Sequence, residues 1–325
     1  MSRPLLSIDD LRVHLRLGNA WIAPVDGVTL SIERGEFLGI AGESGSGKSL
    51  TLRSILGLLP PGSRVEGELL FALDSEAQEP LHPEEVRGHG VAMIFQEPMT
   101  ALNPTMRVGD LVAEGSRVHR GLSQTDAEAR AIELMGLVGI PDPRRRARHW
   151  PHQLSGGLRQ RVMIAAALST DPKLLLCDEP TTALDVTIQD QILGLLDRLR
   201  RDLGMSILLV THDLAVIAEV CDRLAVMYAG RIVELGGVKE VLTAPQHPYT
   251  SALLESVPSF HGGSERLRGM GGRPPDPRSF PTGCRFAPRC RFARDDCLSA
   301  PYELAPVEGR LTACIHPEVL STSAG

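Results

Sequence analysis

The sequence contains a short glycine- and serine-rich segment with the composition of a phosphate-binding loop. Residues 42–49 read GESGSGKS and fit the pattern G-x-x-x-x-G-K-[ST]. Glycines let backbone N–H groups close around phosphate oxygens, and the start of a following helix adds partial positive charge. We expect Lys48 to reach the β- and γ-phosphates of a nucleotide and the Ser49 hydroxyl to bind Mg²⁺. The predicted nucleotide contacts in this loop are Gly42, Ser44, Gly45, Ser46, Gly47, Lys48, Ser49 and Leu50.

A second candidate is an apolar run that ends in two carboxylates. Residues 174–179 read LLLCDE, and we expect Asp178 to hold Mg²⁺ and Glu179 to polarise an attacking water. Phosphoryl transfer needs mainly positioning and charge neutralisation, which these groups supply. Alone, the segment is also compatible with a strand that ends in solvated carboxylates, the less favoured alternative. The phosphate loop upstream favours the catalytic interpretation.

A third segment offers another anion-binding helix start. Residues 154–161 read LSGGLRQR, and Ser155, Gly156 and Gly157 are predicted to open a helix that precedes the Asp178 strand. One triphosphate does not need two such helix starts. We therefore expect this one to serve a nucleotide held by a partner subunit; an ordinary helix cap is the alternative.

The elements that must position these groups alternate between strand and helix, which predicts an α/β fold. Runs that are apolar on both faces favour a parallel sheet covered by helices. The predicted strands are 36–41, 174–178 and 206–211, and a hairpin joins 223–228 to 231–235. Helices are predicted from Lys48 to Leu58 and after a capping box at residues 125–128. A helical insertion is expected between about residues 99 and 169.

Composition excludes several other classes of protein. The net charge of −6 argues against nonspecific nucleic-acid binding. The longest run without charge, residues 241–254, contains two prolines and is too short to span a bilayer. The first fifteen residues carry charges and no small-residue cleavage site, unlike a signal peptide. We expect a protein of the cell interior.

The C-terminal part differs from the rest in composition. Eleven of the twenty-six residues at 258–283 are Gly or Pro, which predicts a linker or irregular loop. The expected division is therefore a large domain at 1–257 and a small appendix at 258–325. Four thiols of the appendix could bind a 4Fe–4S cluster or Zn²⁺, or could remain free. The absence of close C-x₂₋₄-C pairs favours iron–sulfur over zinc. These thiols belong to Cys284, Cys290, Cys297 and Cys314.

The order of these motifs resembles the ATP-binding cassette (ABC) ATPases over roughly residues 5–250. The resemblance implies a P-loop (RecA-like) nucleotide-binding domain with a helical subdomain. It also implies that Gln96 contacts Mg²⁺ and the attacking water, that Asp185 lies at a dimer seam, and that His212 contacts the γ-phosphate. Trp21 is the candidate for stacking on adenine, with plain packing as the alternative.

Several longer segments are similar to the ATPases of oligopeptide and dipeptide importers, a subfamily that also serves nickel, opines and glutathione. The similar segments are 95–104, 150–157, 178–187 and 246–250. This resemblance implies a second ATPase subunit, two permeases, an extracytoplasmic binding protein and a place on the cytoplasmic face of the membrane. It also implies that the cysteine tail can hold a 4Fe–4S cluster. An ABC ATPase outside transport is the rival, although such proteins usually carry two cassettes in one chain.

Overall fold

The computed structural model describes residues 3–72, 79–80, 82–96, 101–182, 184–257 and 270–321. Within these ranges the chain forms two sheets with helices packed around them. The strands are β1 (Leu6–Leu17), β2 (Ala20–Ile32), β3 (Phe37–Ala41), β4 (Arg64–Phe71), β5 (Glu79–Pro80), β6 (Val91–Ile94), β7 (Leu174–Asp178), β8 (Ser206–Val210), β9 (Arg223–Tyr228), β10 (Arg231–Gly237), β11 (Ala305–Val307) and β12 (Arg310–Thr312).

The helices lie mostly between the central strands. They are α1 (Lys48–Ile55), α2 (Pro83–Val86), α3 (Val108–Arg120), α4 (Gln124–Leu137), α5 (Pro143–Arg146), α6 (Gly156–Leu168), α7 (Val186–Leu203), α8 (Leu214–Val220), α9 (Val238–Thr243), α10 (Pro248–Glu255) and α11 (Glu318–Ser321). Of the helices in the described ranges, none combines the length and the apolar character that crossing a bilayer requires.

The larger sheet has the order β11-β12-β10-β9-β3-β8-β7-β6 among the described strands. Its middle, from β9 through β6, is parallel, and the strands beyond β9 are antiparallel. The smaller sheet, β2-β1-β4-β5, is antiparallel throughout. In a parallel sheet the carboxyl ends of the strands meet at one edge, so the residues that follow β3, β7 and β8 come together there.

Both faces of the parallel region are buried, as the continuous apolar runs predicted. Along β7, Leu175 and Cys177 pack into one core with the helices α3, α4, α6 and α7. Leu174 and Leu176 pack into a second core with α1 and the smaller sheet. The α/β fold predicted from the sequence is therefore confirmed, and α3 to α6 lie between β6 and β7 where helices were expected. The start of that predicted insertion, residues 99 and 100, lies outside the described residues.

Two predicted helix ends differ from the structure. The helix from Lys48 ends at Ile55, because Gly57 adopts a left-handed conformation with φ of 64° that turns the chain away. The capping box at residues 125–128 is wrong. Ser123 caps α4 instead and accepts a hydrogen bond from the Asp126 N–H. Thr125 is inside the helix, which begins two residues earlier than the pattern suggested.

The C-terminal strands extend the larger sheet. β12 pairs with β10 through Leu311 opposite Leu235, and the Tyr302 hydroxyl donates to the Ile232 carbonyl at 2.8 Å. The third core joins Tyr228 and Tyr249 to Phe286 of the appendix. The boundary near Val257 stays a prediction, since residues 258–269 of the predicted linker lie outside the described residues. The described part of the appendix is thus packed directly on β9 and β10.

Candidate nucleotide site and cysteine cavity

The predicted phosphate loop connects β3 to α1. Lys48 is buried at the first position of α1 and donates from Nζ to the carbonyls of Gly42 and Glu43, at 2.8 and 2.9 Å. Burial lowers the pKa of Lys48, while the nearby carboxylates of Glu179 and Asp178 oppose that shift. The Lys48 side chain therefore reaches from the end of the loop back to its start, and its ammonium group lies where a lysine neutralises bound phosphates.

Glycine is required at two positions of this loop. A Cβ at Gly42 would lie 2.1 Å from the carbonyl oxygen of Met227, and one at Gly47 would lie 2.6 Å from that of Pro24. Gly47 also has φ of 107°, a conformation that other residues rarely adopt. The loop thus packs closely on β2 and β9, with its N–H groups at the start of α1.

Asp178 and Ser49 fit a magnesium site. The Ser49 hydroxyl donates to Asp178 Oδ1 at 2.6 Å. The other carboxylate oxygen, Oδ2, is buried and has no hydrogen-bond partner, and the guanidinium of Arg53 is 3.6 Å away. A hydroxyl and a carboxylate are ligands that Mg²⁺ prefers, and an unsatisfied buried oxygen is the kind of group that a cation would complete.

Three side chains converge on one oxygen of Glu179. Gln96 donates from Nε2 to Oε2 at 3.2 Å, Thr182 donates from its hydroxyl to the same oxygen at 2.8 Å, and His212 Nδ1 lies 3.3 Å from it. Glu179 itself has φ of 47°, a strained conformation for glutamate that is typical of functional sites. The structure therefore brings together the predicted residues Gln96, Glu179 and His212, which follow the ends of β6, β7 and β8.

Thr182 is a residue whose role the sequence did not indicate. It appeared only within a segment similar to importer ATPases, yet its hydroxyl fixes the rotamer of Glu179 three residues earlier. The sequence feature that could have indicated this role is a hydroxyl side chain three residues after the carboxylate. Its neighbour Ala183 lies outside the described residues.

The predicted second helix start is open. Ser155 precedes α6 and makes no side-chain capping bond, and both Ser155 and Gly156 are exposed. A Cβ at Gly156 would meet only Leu184, at 3.7 Å, whereas one at Gly157 would meet Ile188 at 2.9 Å. The N–H groups that begin α6 therefore face outward, away from the close packing on α7.

Asp185 and Trp21 have structural contacts of their own. Asp185 caps α7 by accepting the Ile188 N–H at 3.0 Å. The Trp21 side chain is 42% exposed near the start of β2, and the guanidinium of Arg64 lies 4.3 Å from its ring centroid. A cation over one face leaves a Trp ring able to stack on its other face. The roles predicted for both residues remain predictions.

The four cysteines of the appendix line one cavity. Cys284, Cys290, Cys297 and Cys314 are all unpaired thiols, and they share this cavity with Phe286, Phe292 and Val319. Backbone N–H groups of Phe286 and Ala287 point at the Cys284 sulfur, that of Phe292 at Cys290, and that of His316 at Cys314. Four thiols in one largely apolar cavity, three of them with backbone N–H donors, fit a metal centre bound by cysteine.

Burial and neighbouring thiols favour the neutral form of Cys284, Cys290 and Cys314 when no cation is bound. Burial raises the pKa of Cys284 and of Cys290, and it raises the pKa of Cys314 to about 12. A bound metal reverses this tendency, because its charge stabilises thiolates. In the described part of the chain, the one group of three ligand atoms within 4.8 Å of one another joins Asp296, Cys297 and His316. The four thiols are spaced more widely.

Comparison with known families agrees with this geometry. A profile of the ABC transporter family matches residues 25–182. A profile of the oligopeptide/dipeptide transporter C-terminal region matches residues 233–297, which include three of the four cysteines. The chain thus combines an ABC cassette with a C-terminal region found in one group of transporters.

Individual proteins give the same result. The chain is 45% identical to a putative peptide import ATP-binding protein of Brucella melitensis, covering 96% of this chain and 94% of that protein. It is 43% identical to the oligopeptide transport ATP-binding protein OppD of Escherichia coli, with 96% and 93% covered. A dimeric ATP-binding cassette solved with ADP and Pi superimposes with a TM-score of 0.62 at 30% identity, over 72% of this chain and 98% of that one. The chain therefore belongs to the ATP-binding proteins of the ABC transporter family, in the group that carries the oligopeptide/dipeptide transporter C-terminal region.

Proposed function

We propose that this chain is the ATP-hydrolysing subunit of an importer for small peptides. The observation that carries the proposal is the convergence of Gln96, Thr182 and His212 on one oxygen of Glu179, at the sheet edge where Ser49 meets Asp178. A carboxylate held by three neighbours beside a phosphate loop can orient a water for in-line attack on a γ-phosphate.

Each side chain has a distinct part in hydrolysis. Lys48 and the loop N–H groups would neutralise the phosphates, and Ser49, Asp178 and Gln96 would hold Mg²⁺. When bound, the magnesium ion would supply charge neutralisation on the phosphates. Glu179 accepts the proton of the attacking water, while Gln96 and Thr182 fix its position. His212, whose side chain is 64% exposed, is placed to donate to the γ-phosphate.

The open N-terminus of α6 can complete the nucleotide site of another ATPase subunit. Ser155 and Gly156 are exposed and uncapped, so they can cover a nucleotide held by another ATPase subunit, with Asp185 at the seam. That subunit is a paralogue or a second copy of this chain. Closure on ATP and reopening after hydrolysis would then drive the permeases between their access states.

The remaining partners follow from the family. The named relatives are peptide import and oligopeptide transport proteins. We assign this chain to the cytoplasmic face of the cell membrane, attached to two permease subunits and fed by an extracytoplasmic binding protein. Nucleic acid has no part in this function.

Uptake assays separate the cargoes. Cells that lack this chain should fail to import labelled di- and oligopeptides, and the wild-type chain should restore uptake, whereas Glu179→Gln should not. Labelled nickel, glutathione and opines are measured in the same cells. Restored uptake of one of these instead of peptides would contradict the peptide assignment but retain the importer, and unchanged uptake of every cargo would contradict transport.

The cysteine cavity is the proposed site of a 4Fe–4S cluster. Tetrahedral zinc with Zn–S bonds of about 2.3 Å would hold its four sulfurs about 3.8 Å apart. The sulfurs of these thiols are spaced more widely than that. A 4Fe–4S cluster binds cysteine sulfurs that lie farther apart, because each sulfur is bound to a different iron. Iron, acid-labile sulfide and zinc should be measured per chain in anaerobically purified protein. About four irons with matching sulfide are expected, lost in Cys290→Ser and retained in the control Cys221→Ala. One zinc per chain, or no metal, would contradict the cluster.

A further inference from the structure

One residue of the phosphate loop is fixed from three directions. The N–H of Glu43 contacts the hydroxyl of Tyr249 at 2.8 Å, and its carbonyl accepts from Lys48 Nζ at 2.9 Å. Its carboxylate pairs with the guanidinium of Arg289, which belongs to the appendix. The backbone contacts set the course of the loop, and the third contact ties it to a segment almost 250 positions away in the sequence.

The pair between Arg289 and Glu43 is bidentate and largely buried. Nη1 lies 2.7 Å from Oε2 and Nη2 lies 2.9 Å from Oε1. The Arg289 side chain is 5% exposed and that of Glu43 is 26% exposed. Nη1 also donates to the Tyr228 hydroxyl at 3.2 Å, and Nε donates to the Gly271 carbonyl at 2.9 Å. All three guanidinium nitrogens are therefore used, which fixes the orientation of the group.

The segment that carries Arg289 is short and held at both ends by cysteines of the cavity. Arg289 ends a 3₁₀ helix, Ala287–Arg289, between Cys284 and Cys290. The Ala287 N–H donates to the Cys284 carbonyl, and the Cys290 N–H donates to the Ala287 carbonyl. The arginine thus projects from a rigid turn of the cysteine cavity onto the phosphate loop.

The charge of Glu43 acts on the predicted phosphate-binding lysine. Glu43 is one of the carboxylates that favour the charged form of Lys48 and so oppose the lowering of its pKa by burial. An unneutralised carboxylate at this position would repel a nucleotide triphosphate, because charges interact strongly in partly buried surroundings. Arg289 neutralises that carboxylate without itself occupying the loop.

We infer that Arg289 is a positioning residue for nucleotide binding: it fixes and neutralises Glu43 so that the phosphate loop can accept a triphosphate. The inference rests on the nucleotide site proposed above. No nucleotide contact is assigned to Arg289, which acts through Glu43.

The test is nucleotide affinity in the purified full-length chain. Arg289→Met should weaken ATP binding about ten-fold, which corresponds to about 1.4 kcal/mol. ADP binding should weaken less, because ADP carries less negative charge, and the loss should shrink at high salt. Adding Glu43→Gln to Arg289→Met should restore part of the ATP affinity, since the unpaired carboxylate is then removed.

The chain provides a matched control two residues away. Arg291 pairs with Glu255 of α10 at 2.6 Å, on the same segment but without a contact to the phosphate loop in the hydrogen bonds and ion pairs described. Arg291→Met removes the same charge beside the same cysteine and should leave the affinities for ATP and ADP unchanged. Arg289→Lys keeps the charge without the bidentate geometry, and an intermediate affinity is expected.

The outcomes separate this inference from the proposed function. A wild-type chain that binds no ATP would contradict the nucleotide site itself. A wild-type chain that binds ATP, with Arg289→Met and Arg291→Met equal to it, would overturn the inference alone. An equal loss for ATP and ADP, with no recovery in the double variant, would mean general loosening of the fold and would also overturn it. Thermal unfolding of each variant accompanies the binding data.

Discussion

The nucleotide site collects its charged groups from distant parts of the chain and already sets opposite charges beside one another, whereas the cysteine cavity takes its four thiols from residues 284–314 alone. In the nucleotide site Lys48 lies among the carboxylates of Asp178 and Glu179, and Arg53 approaches Asp178. In the cavity, the four thiols share a largely apolar lining, and burial raises the pKa of Cys314 to about 12. The first site is arranged in advance of its ligand, whereas in the second a bound cation would favour the thiolate form of Cys284, Cys290 and Cys314 against burial.

The two sites are also joined. Arg289, next to Cys290, pairs with Glu43 of the phosphate loop, and Tyr228 and Tyr249 pack against Phe286 between them. A region that follows the cassette in the sequence therefore supports its phosphate loop. The predictions below separate what each site contributes.

Loss of the loop lysine should have the largest effect on the nucleotide site. Lys48→Ala removes the ammonium that closes the loop, and ATP binding should fall by at least a hundred-fold, because a buried charge–phosphate contact is lost. Lys239→Ala changes an exposed lysine of α9 and should bind ATP as the wild type does. Isothermal titration measures both, and metal content at the cavity should be the same in the two variants.

A bulky residue at the start of α6 tests whether the site is shared between subunits. A Cβ at Gly156 would meet only the Leu184 side chain, at the ordinary contact distance of 3.7 Å, so Gly156→Leu should fold normally and bind ATP but lose most of its hydrolysis. Gly194→Leu, on a helix position with no atom within 4 Å of the added Cβ, is the control. Steady-state phosphate release measures both. Normal hydrolysis by Gly156→Leu would count against a site covered by a partner.

The contact from Thr182 should have a smaller effect. Thr182→Val removes one hydrogen bond to Glu179, so kcat should drop about ten-fold with little change in KM, because a hydrogen bond to a charged group contributes about 1.5–3 kcal/mol. Thr182→Ser keeps the hydroxyl and should restore most of the rate. A change confined to KM would mean that Thr182 acts in binding rather than in hydrolysis.

The buried thiol of Cys314 predicts an effect on stability rather than on activity, a loss of stability at high pH in metal-free protein. The pKa of Cys314 is raised from 9.0 in the unfolded chain to about 12 in the fold, so the stabilising contribution is complete below pH 9 and is lost as the pH rises towards 12. Urea unfolding across this range should show a shallower decline in Cys314→Ala. Equal declines in the two proteins would contradict a buried neutral thiol.

Local sequence patterns predicted the bounds of the loop and the strand that carry the proposed nucleotide site. The loop from Gly42 to Ser49 and the strand ending at Asp178 combine a pattern with a physical requirement, and so could be predicted with their bounds. Gln96 and His212 came from a resemblance, and the structure places both against Glu179. Their contact depends on the order of strands in the sheet, which no local pattern specifies.

Tertiary contacts of single side chains could not be predicted from the sequence. Tyr249 reaches the phosphate loop because Glu234, buried in β10, accepts the N–H groups of Gln246 and His247 and so fixes the start of α10. Nothing in the spacing of these residues indicates that contact. The pairing of β12 with β10 was missed for the same reason, since each strand of the appendix has only three residues.

The central claim is that Glu179 is the base of an ATP-hydrolysing site, and it is tested most directly by measuring ATP binding and phosphate release on the same sample of Glu179→Gln. The account predicts binding at least as tight as in the wild type and phosphate release near background, because the amide keeps the hydrogen-bonded position but cannot accept a proton. Glu219→Gln, an exposed position of α8, should behave as the wild type. Phosphate release by Glu179→Gln at the wild-type rate would contradict the account.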